Sequence, residues 1–371
     1  MRTIDKLTPF IATHPGEVLW DEMQANDFTQ IEFAKLIDVK RSQLNEIIKG
    51  KRNINADLAL LFEKGLGIDA NYWLELQKNY DLDKAKIEAK NQERLEAIEQ
   101  WNFIKPHIAF TFLKKQKYIF GDPVLDIPTI KDIYGVNNLE SIASLNAKKS
   151  YARFRKSTKL KLDKTNVIGW AKLVQFNARK AQVKPFEANN MNNLIEELII
   201  ILNENKDTKY KTQQVLNEYG IKLIYQEKGE KTPVDGISFW DDNNPAIGLS
   251  LRYNRLDYFA FTLFHELGHV YKHLVKNNDL EYIDIEPKFE GDEYSNSKEE
   301  KEANTFANDF LIDNKSWIEF INNKDSVYKF KDETIIAFAE SKNIHPAIVK
   351  GRLCNHFKNY KIKSNIPNEI L

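Results

Sequence analysis

Residues 261–273, FTLFHELGHVYKH, decide the fold of the C-terminal half of this 371-residue chain. They contain the pattern His-Glu-x-x-His at His265, Glu266 and His269. Residues four apart on an α-helix project from the same face, so both imidazoles can reach one metal ion. Glu266 follows the first histidine, where its carboxylate can take a proton from water. Gly268 costs about 1 kcal/mol inside a helix and indicates that another element packs close to it. The stretch therefore predicts a zinc helix with Glu266 as the catalytic base.

A catalytic zinc ion held by two histidines needs a third protein ligand and an open position for water. His273 lies eight residues beyond the first histidine, about 12 Å along a helix, which is too far for one tetrahedron. The ligand is expected from the helix SKEEKEANTFANDFLI, residues 297–312. We predict Glu300, while Glu299 and Glu302 remain alternatives because one residue of register error exchanges them. The predicted contact face of this helix consists of Glu300, Ala303, Asn304 and Ala307.

The segments before the zinc helix have the alternating pattern of short strands. Residues 221–225, 236–240 and 246–250 are predicted strands, and DDNNP at residues 241–245 is a turn between the last two. This order predicts a zincin-like domain at residues 206–371 with a small antiparallel sheet.

Residues 14–80 are predicted to form short helices with tight connections. Thr29 is a good N-cap, and a short turn precedes a third helix that Gly50 ends. Two short helices joined in this way are typical of a helix-turn-helix. Amide side chains can recognise adenine edges, and basic side chains can neutralise phosphates; the alternative is an ordinary solvated helix face. The predicted DNA contacts are Thr29, Gln30, Lys40, Arg41, Ser42, Gln43, Asn45, Lys49, Lys51 and Arg52.

The middle of the chain is predicted to be helical throughout. Residues 81–101 are charged, contain neither Pro nor Gly, and indicate an exposed linking helix, with a dimerising helix as the alternative. The expected fold class is α+β, mostly α. The predicted domains are a helix-turn-helix domain at residues 1–80, a helical linker at 81–205 and the zinc domain at 206–371.

The composition limits the environment and the partners. Lys+Arg and Asp+Glu both number 54, so no net charge marks a nucleic-acid or membrane binder. The one cysteine excludes a disulfide framework and a zinc site built on cysteines. No signal-peptide pattern and no apolar run of membrane-spanning length is present. We therefore expect a cytoplasmic protein without a membrane partner.

The N-terminal phrases HPGEVLWDEM and TQIEFAKLIDVKRSQLNEIIKGKRNI resemble the helix-turn-helix of the HigA/Xre antitoxin family. The resemblance implies double-stranded operator DNA as a partner, bound as a homodimer if the protein dimerises. The family turn usually reads Gly-Val-Ser, with the serine capping the recognition helix. Here it reads Asp38-Val39-Lys40. The cap is therefore lost, and Asp38 must adopt a conformation that glycine normally provides.

The C-terminal phrases VDGISFW, PAIGLSLRYNRLDYFAFTLFHELGHVYKH and EANTFANDFLI resemble the ImmA/IrrE metallopeptidase family. The resemblance implies a zinc-dependent endopeptidase that cleaves a protein partner, such as a repressor or toxin, in stress, toxin-antitoxin or mobile-element control. The alternative is an antitoxin-like repressor whose zinc domain binds a partner or senses a signal without proteolysis. Candidates for an oxyanion-stabilising group are Tyr253, Tyr271 and His273.

Overall fold

A computed structural model describes residues 10–145, 163–285, 297–322, 329–361 and 363–371. Contacts between Cα atoms divide the chain into two compact units, Met1–Gln100 and Trp101–Leu371. This boundary differs from those predicted at residues 80 and 205, and the three-domain division stays a prediction. Residues 146–162 of the predicted helical middle region lie outside the described residues.

The first unit is helical and packs around Leu19, Phe33, Leu44, Phe62 and Trp73, all fully buried. The side chains of His14, Thr29 and Asn55 accept hydrogen bonds from the first turns of three of its helices. Its described helices are α1 (Pro15–Ala25), α2 (Gln30–Leu36), α3 (Arg41–Ile48), α4 (Ala56–Leu66) and α5 (Ala70–Ile104), the last of which continues four residues past Gln100.

The turn between α2 and α3 behaves as expected. Asp38 has φ of 51°, a left-handed conformation that an aspartate tolerates better than most residues. Lys40 stands at the N-cap of α3 and makes no side-chain cap hydrogen bond. Gly50, at φ 67°, follows the end of α3 as a C′ glycine. The predicted helix-turn-helix geometry is confirmed.

The second unit combines helices with one sheet. Its first helices include α9, which packs on the sheet: the Trp170 indole donates a hydrogen bond to the carbonyl of Gln226. Up to the sheet the helices are α6 (Phe110–Lys115), α7 (Pro123–Tyr134), α8 (Glu140–Ser144), α9 (Lys164–Ala178), α10 (Met191–Glu204) and α11 (Thr208–Glu218). After it come α12 (Leu256–His269), α13 (Lys298–Leu311), α14 (Asn314–Ile321), α15 (Asp332–Ser341) and α16 (Pro346–His356).

The sheet has four strands in the order β1-β3-β2-β4: β1 (Lys222–Tyr225), β2 (Val234–Asp241), β3 (Asn244–Leu249) and β4 (Glu281–Ile285). The prediction of an antiparallel sheet was wrong at β1, which pairs parallel with β3. Because β1 pairs with β3 and not with β2, the connection at residues 226–233 passes the end of β3 to reach β2. The strand β4, on the other edge of β2, was not predicted.

Helix α12 lies between the sheet and α13 and has a fully buried apolar side that includes Leu263, Phe264 and Leu267. Among the described residues, no helix combines the length and the apolar character needed to cross a membrane.

Candidate metal centre

The motif residues lie in the last turns of α12, inside the protein. The relative exposure of His265 and Glu266 is 0% and that of His269 is 1%. Charged and imidazole side chains are rarely buried this completely unless something compensates them. The α-helix gives way to a π-helical segment, Val270–Leu274, directly after the second histidine. Such π segments are frequent at functional sites.

Helix α13 approaches α12 at Gly268, as the glycine predicted. A Cβ atom on Gly268 would lie 2.9 Å from Cα of Ala303 and 3.1 Å from its carbonyl oxygen. Glu300 stands one turn before Ala303 and is 1% exposed. The Ser297 side chain caps α13 by accepting a hydrogen bond from the Glu300 amide. The close approach therefore carries the Glu300 carboxylate to the two histidines.

The three predicted ligands come together. Nε2 of His265 and Nε2 of His269 are 3.1 Å apart. Glu300 Oε2 lies 3.6 Å from the former, and its Oε1 lies 3.4 Å from the latter. Ligand atoms about 2.0–2.1 Å from a tetrahedral zinc ion are roughly 3.4 Å from one another. The donor set and its spacing fit a zinc ion. Among the described residues these three form the one His/Cys/Asp/Glu group of metal-binding spacing.

Outer hydrogen bonds fix the tautomers of both histidines. Nδ1 of His265 is 3.1 Å from Oδ1 of Asn304, an acceptor, so this Nδ1 donates. Nδ1 of His269 is 3.2 Å from Nδ1 of His273, whose Nε2 is 3.0 Å from a Glu302 carboxylate oxygen. If His273 donates to Glu302, its Nδ1 accepts from His269. Both Nε2 lone pairs are then directed at Glu300, as metal ligation requires.

Glu299 and Glu302, the alternatives to Glu300 as the third ligand, lie outside the ligand group. Glu302 is 41% exposed at its side chain, and the His273 hydrogen bond lowers the pKa of Glu302. The supporting role of His273 and Glu302 was not expected, although the i, i+4 spacing of His269 and His273 on one helix was a visible signal.

The Glu266 side chain lies against Gly236 on β2. A Cβ atom on Gly236 would be only 2.1 Å from Glu266 Oε1, so glycine is required there. Burial raises the pKa of Glu266 well above its usual value, and the charge of Asp284 raises it further. The Ser238 hydroxyl acts in the opposite direction. A raised pKa makes the Glu266 carboxylate a stronger base than that of a solvated glutamate.

Aromatic residues surround the cluster. The Tyr282 ring, on β4, stacks on His269 with centroids 4.2 Å apart. The expectation for Tyr271 as an oxyanion group stays a prediction, as its ring contacts Phe186 and Phe306. Tyr253 packs edge-on against Tyr258. The contact of Tyr282 with His269 was not predicted, because the strand β4 was not predicted.

The predicted DNA contacts lie on or beside α2 and α3, in the first unit. The Thr29 hydroxyl is engaged in a capping box with Glu32. Arg52 forms an exposed ion pair with Glu46 at 2.8 Å. Lys40, Arg41, Ser42, Lys49 and Lys51 are exposed, whereas Gln30, Gln43 and Asn45 are half-buried. Their roles as DNA contacts stay predictions.

Comparisons with known proteins match both units. Residues 21–73 match the helix-turn-helix family, and residues 216–330 match the IrrE N-terminal-like domain, a peptidase family. Virulence-associated protein I of Dichelobacter nodosus is 40% identical over 76 residues, covering 20% of this chain and 70% of that protein. The uncharacterized HTH-type transcriptional regulator YbaQ of Escherichia coli is 28% identical over 88 residues, covering 24% and 78%. The structure of Pseudomonas aeruginosa antitoxin HigA with the higBA promoter is 30% identical, covers 22% and 89% of the two chains, and has a TM-score of 0.21.

The fold and the matches define a helix-turn-helix protein with a peptidase-family domain. The chain belongs to the helix-turn-helix family through its N-terminal module and carries an IrrE N-terminal-like domain in its C-terminal part.

Proposed function

We propose that this chain is a DNA-binding transcriptional regulator with a zinc-dependent endopeptidase domain that cleaves a protein partner, such as a repressor or a toxin. One observation carries the proposal: His265, His269 and Glu300 place three ligand atoms within 4.8 Å of one another, with Glu266 beside them. A structural zinc site has four protein ligands, and three ligands are the number found at catalytic sites. A purely structural site would also have no use for a buried Glu266.

His265, His269 and Glu300 would hold the zinc ion. A zinc ion in such a site polarises a peptide carbonyl and lowers the pKa of water. Asn304 and His273 orient the two imidazoles, so the ligand lone pairs need no rearrangement. Glu266 accepts a proton from the attacking water and passes it to the leaving amine. Its buried position against β2 keeps that proton from exchanging with bulk solvent.

The proteolytic step is tested by Glu266→Gln, which preserves shape and removes the base. Cells producing the wild-type protein, Glu266→Gln or the control Glu299→Gln are compared for new protein N-termini. We expect the same new termini with the wild type and the control, and none with Glu266→Gln. Equal cleavage by Glu266→Gln would refute the mechanism.

The ligand set is tested by elemental analysis of purified protein. About one zinc ion per chain is expected for the wild type and for Glu299→Ala, and a loss of zinc is expected for Glu300→Ala. Zinc retained in Glu300→Ala would show that another residue is the third ligand.

The helix-turn-helix module is proposed to bind double-stranded operator DNA in the cytoplasm, as a homodimer on an inverted repeat. The support is the exposed basic residues in and beside α3, namely Lys40, Arg41, Lys49 and Lys51, and the family match at residues 21–73. An antitoxin-like repressor whose zinc domain binds a partner without proteolysis is the second candidate. It is favoured by the N-terminal relatives, one of which is named as a transcriptional regulator. It predicts metal binding and DNA binding without new N-termini.

A further inference from the structure

A cavity of about 440 Å³ lies in the second unit beside the metal centre. Its walls come from the segment before and at the start of α12, from the end of α13 and from α16. A cavity of this size accommodates a small organic molecule. Apolar contact surface is supplied by Phe261, Leu311 and Ile348, and the rings of Tyr253 and Tyr360 complete the wall. The body of a ligand here would therefore be apolar or aromatic.

Of the two arginines in the lining, Arg255 is paired with a carboxylate of the described chain and Arg352 is not. Arg255 pairs with Asp257, with its Nε 3.0 Å from the carboxylate. Arg352 has no carboxylate within 4.0 Å among the described residues. One of its terminal nitrogens, Nη1, donates hydrogen bonds to the carbonyls of Asn308 and Ile312, and its guanidinium lies 4.5 Å from the Trp317 ring centroid.

The Arg352 guanidinium is thus held in place by two carbonyls and an aromatic face, while no described residue accepts a hydrogen bond from its remaining N–H groups. A guanidinium offers five donors, and a carboxylate is the ligand group that matches them in pairs. Burial lowers the pKa of Arg352 to about 10, which still leaves it charged at neutral pH. The charges of Asp309 and Asp313 favour that charged form without contacting it.

The same cavity borders the metal ligands. The Phe261 ring stacks on His265 with centroids 6.2 Å apart. Asn308 donates a hydrogen bond from its side chain to the carbonyl of Asn304, whose own side chain contacts His265. A ligand in the cavity can therefore act on His265 through Phe261 alone or through Asn308 and Asn304.

We propose that this cavity is a regulatory site for a small aromatic or aliphatic carboxylic acid, bound by Arg352 and coupled through Phe261 and Asn308 to the metal centre. The carboxylate site stands on the cavity alone. Its coupling to metal binding rests on the proposed function, because it requires His265 to be a ligand. The site gives this regulator a means of responding to a metabolite, whichever of the two proposed functions holds.

Binding is tested with phenylpropionate and with phenylpropionamide, which has the same shape and no charge. Isothermal calorimetry on the full-length protein is expected to give a Kd for the acid about tenfold or more below that of the amide. Arg352→Met should remove this preference, whereas Lys350→Met, two residues earlier on α16 and outside the lining, should retain it. Equal binding of acid and amide by the wild type, or no binding of the acid at millimolar concentration, would overturn the site.

Arg352→Met also loses two hydrogen bonds to the end of α13, so a second variant separates binding from folding. Ile348→Phe fills the cavity and leaves the Arg352 contacts in place. It should weaken binding of phenylpropionate about tenfold while circular dichroism stays that of the wild type. Unchanged affinity in a folded Ile348→Phe variant would place the acid elsewhere and contradict the proposal.

Coupling is tested by transfer of zinc from the protein to a chelator, with and without saturating phenylpropionate. Linkage requires that zinc change the affinity for the acid by the same factor as the acid changes the affinity for zinc. We expect a factor of about five or more, the lower end of allosteric coupling. A factor of one would refute the coupling and leave the carboxylate site intact. A wild-type protein that binds the acid but no zinc would instead contradict the proposed metallopeptidase.

Discussion

The contact between Gly236 and Glu266 gives a sharp test of where the catalytic carboxylate lies. In Gly236→Ala, the added Cβ would meet Oε1, Cδ and Cγ of Glu266 at 2.1, 2.7 and 2.9 Å. All three distances are well inside the roughly 3.5 Å at which non-bonded atoms meet. Because Glu266 is fully buried, its side chain has no solvent to move into. Overpacking of this kind costs about 1–3 kcal/mol.

The effect of Gly236→Ala on the free energy of unfolding should change sign once the Glu266 carboxylate is removed. Gly in a strand interior is less favourable than Ala by about 0.5–1 kcal/mol, so Gly236→Ala in a Glu266→Ala background should be neutral or stabilising. The expected coupling energy between the two positions is about 2–3 kcal/mol. In a Glu266→Gln background, which keeps the volume of the side chain, the clash should persist.

The assay is urea unfolding of the full-length variants in the presence of a metal chelator, so that differences in zinc affinity do not enter. The transition of the second unit is followed by tryptophan fluorescence, because Trp101, Trp170, Trp240 and Trp317, four of the six tryptophans, belong to that unit. The changes in unfolding free energy of Gly236→Ala and Glu266→Ala are added and compared with that of the double variant. Agreement to within about 0.5 kcal/mol would show that Glu266 does not lie against β2. Its placement as the base would then have no structural support.

Three further outcomes are expected. His273→Ala should weaken zinc binding about 10- to 100-fold in a chelator competition, as loss of an outer hydrogen-bond partner does, while Lys272→Ala leaves it unchanged; equal affinities would contradict the orienting role. Burial lowers the pKa of His14 below 6.5, so the unfolded chain takes up this proton first and thermal stability of the first unit should fall as pH falls below about 6.5. His14→Asn keeps an N-cap without a titrating group and should show a flatter pH dependence; parallel curves would rule out His14 as the cause. Gln43→Ala combined with Asn45→Ala should abolish the preference for a DNA sequence selected with the wild type. Lys51→Ala should weaken binding to all sequences alike and reduce the slope of log affinity against log salt concentration by about one. A preference retained in the double variant would show that Gln43 and Asn45 do not recognise bases.

Much of the metal centre followed from the sequence because local geometry dictates it. The four-residue spacing of His265 and His269 fixes their common face on any helix. Gly268 indicated a close neighbour, and the alanines of residues 297–312 identified which helix that neighbour is. The sequence alone left Glu299 and Glu302 as alternatives to Glu300, because it does not give the register of the two helices. In the structure Ala303 lies against Gly268, and Glu300 is the glutamate that joins the two histidines. The left-handed conformation of Asp38 was expected on other grounds, from the resemblance to a family turn in which glycine stands at that position.

The arrangement of the sheet was harder to predict from the sequence, because strand order depends on contacts between residues far apart in the chain. Alternation at residues 222–225 predicts a strand but not its partner or direction. The strand β4 reads EYIDI, with acids at Glu281 and Asp284 that disfavour a strand assignment from propensity alone. Packing of Tyr282 against His269 supplies contact that propensity does not include. Tertiary contacts therefore decide this strand.

His273 shows how a correct distance argument can still miss a function. On an ideal α-helix it lies too far from His265 to share a metal ion, and it is indeed absent from the ligand group. The π-helical segment at Val270–Leu274 changes the rotation of the residues after His269. Nδ1 of His273 then reaches Nδ1 of His269, and Glu302 receives the hydrogen bond from the other side of the ring. Two residues that compete with the ligands in the sequence instead hold one ligand in the tautomer that binds metal, so the loss of either should appear first in metal affinity and only then in cleavage.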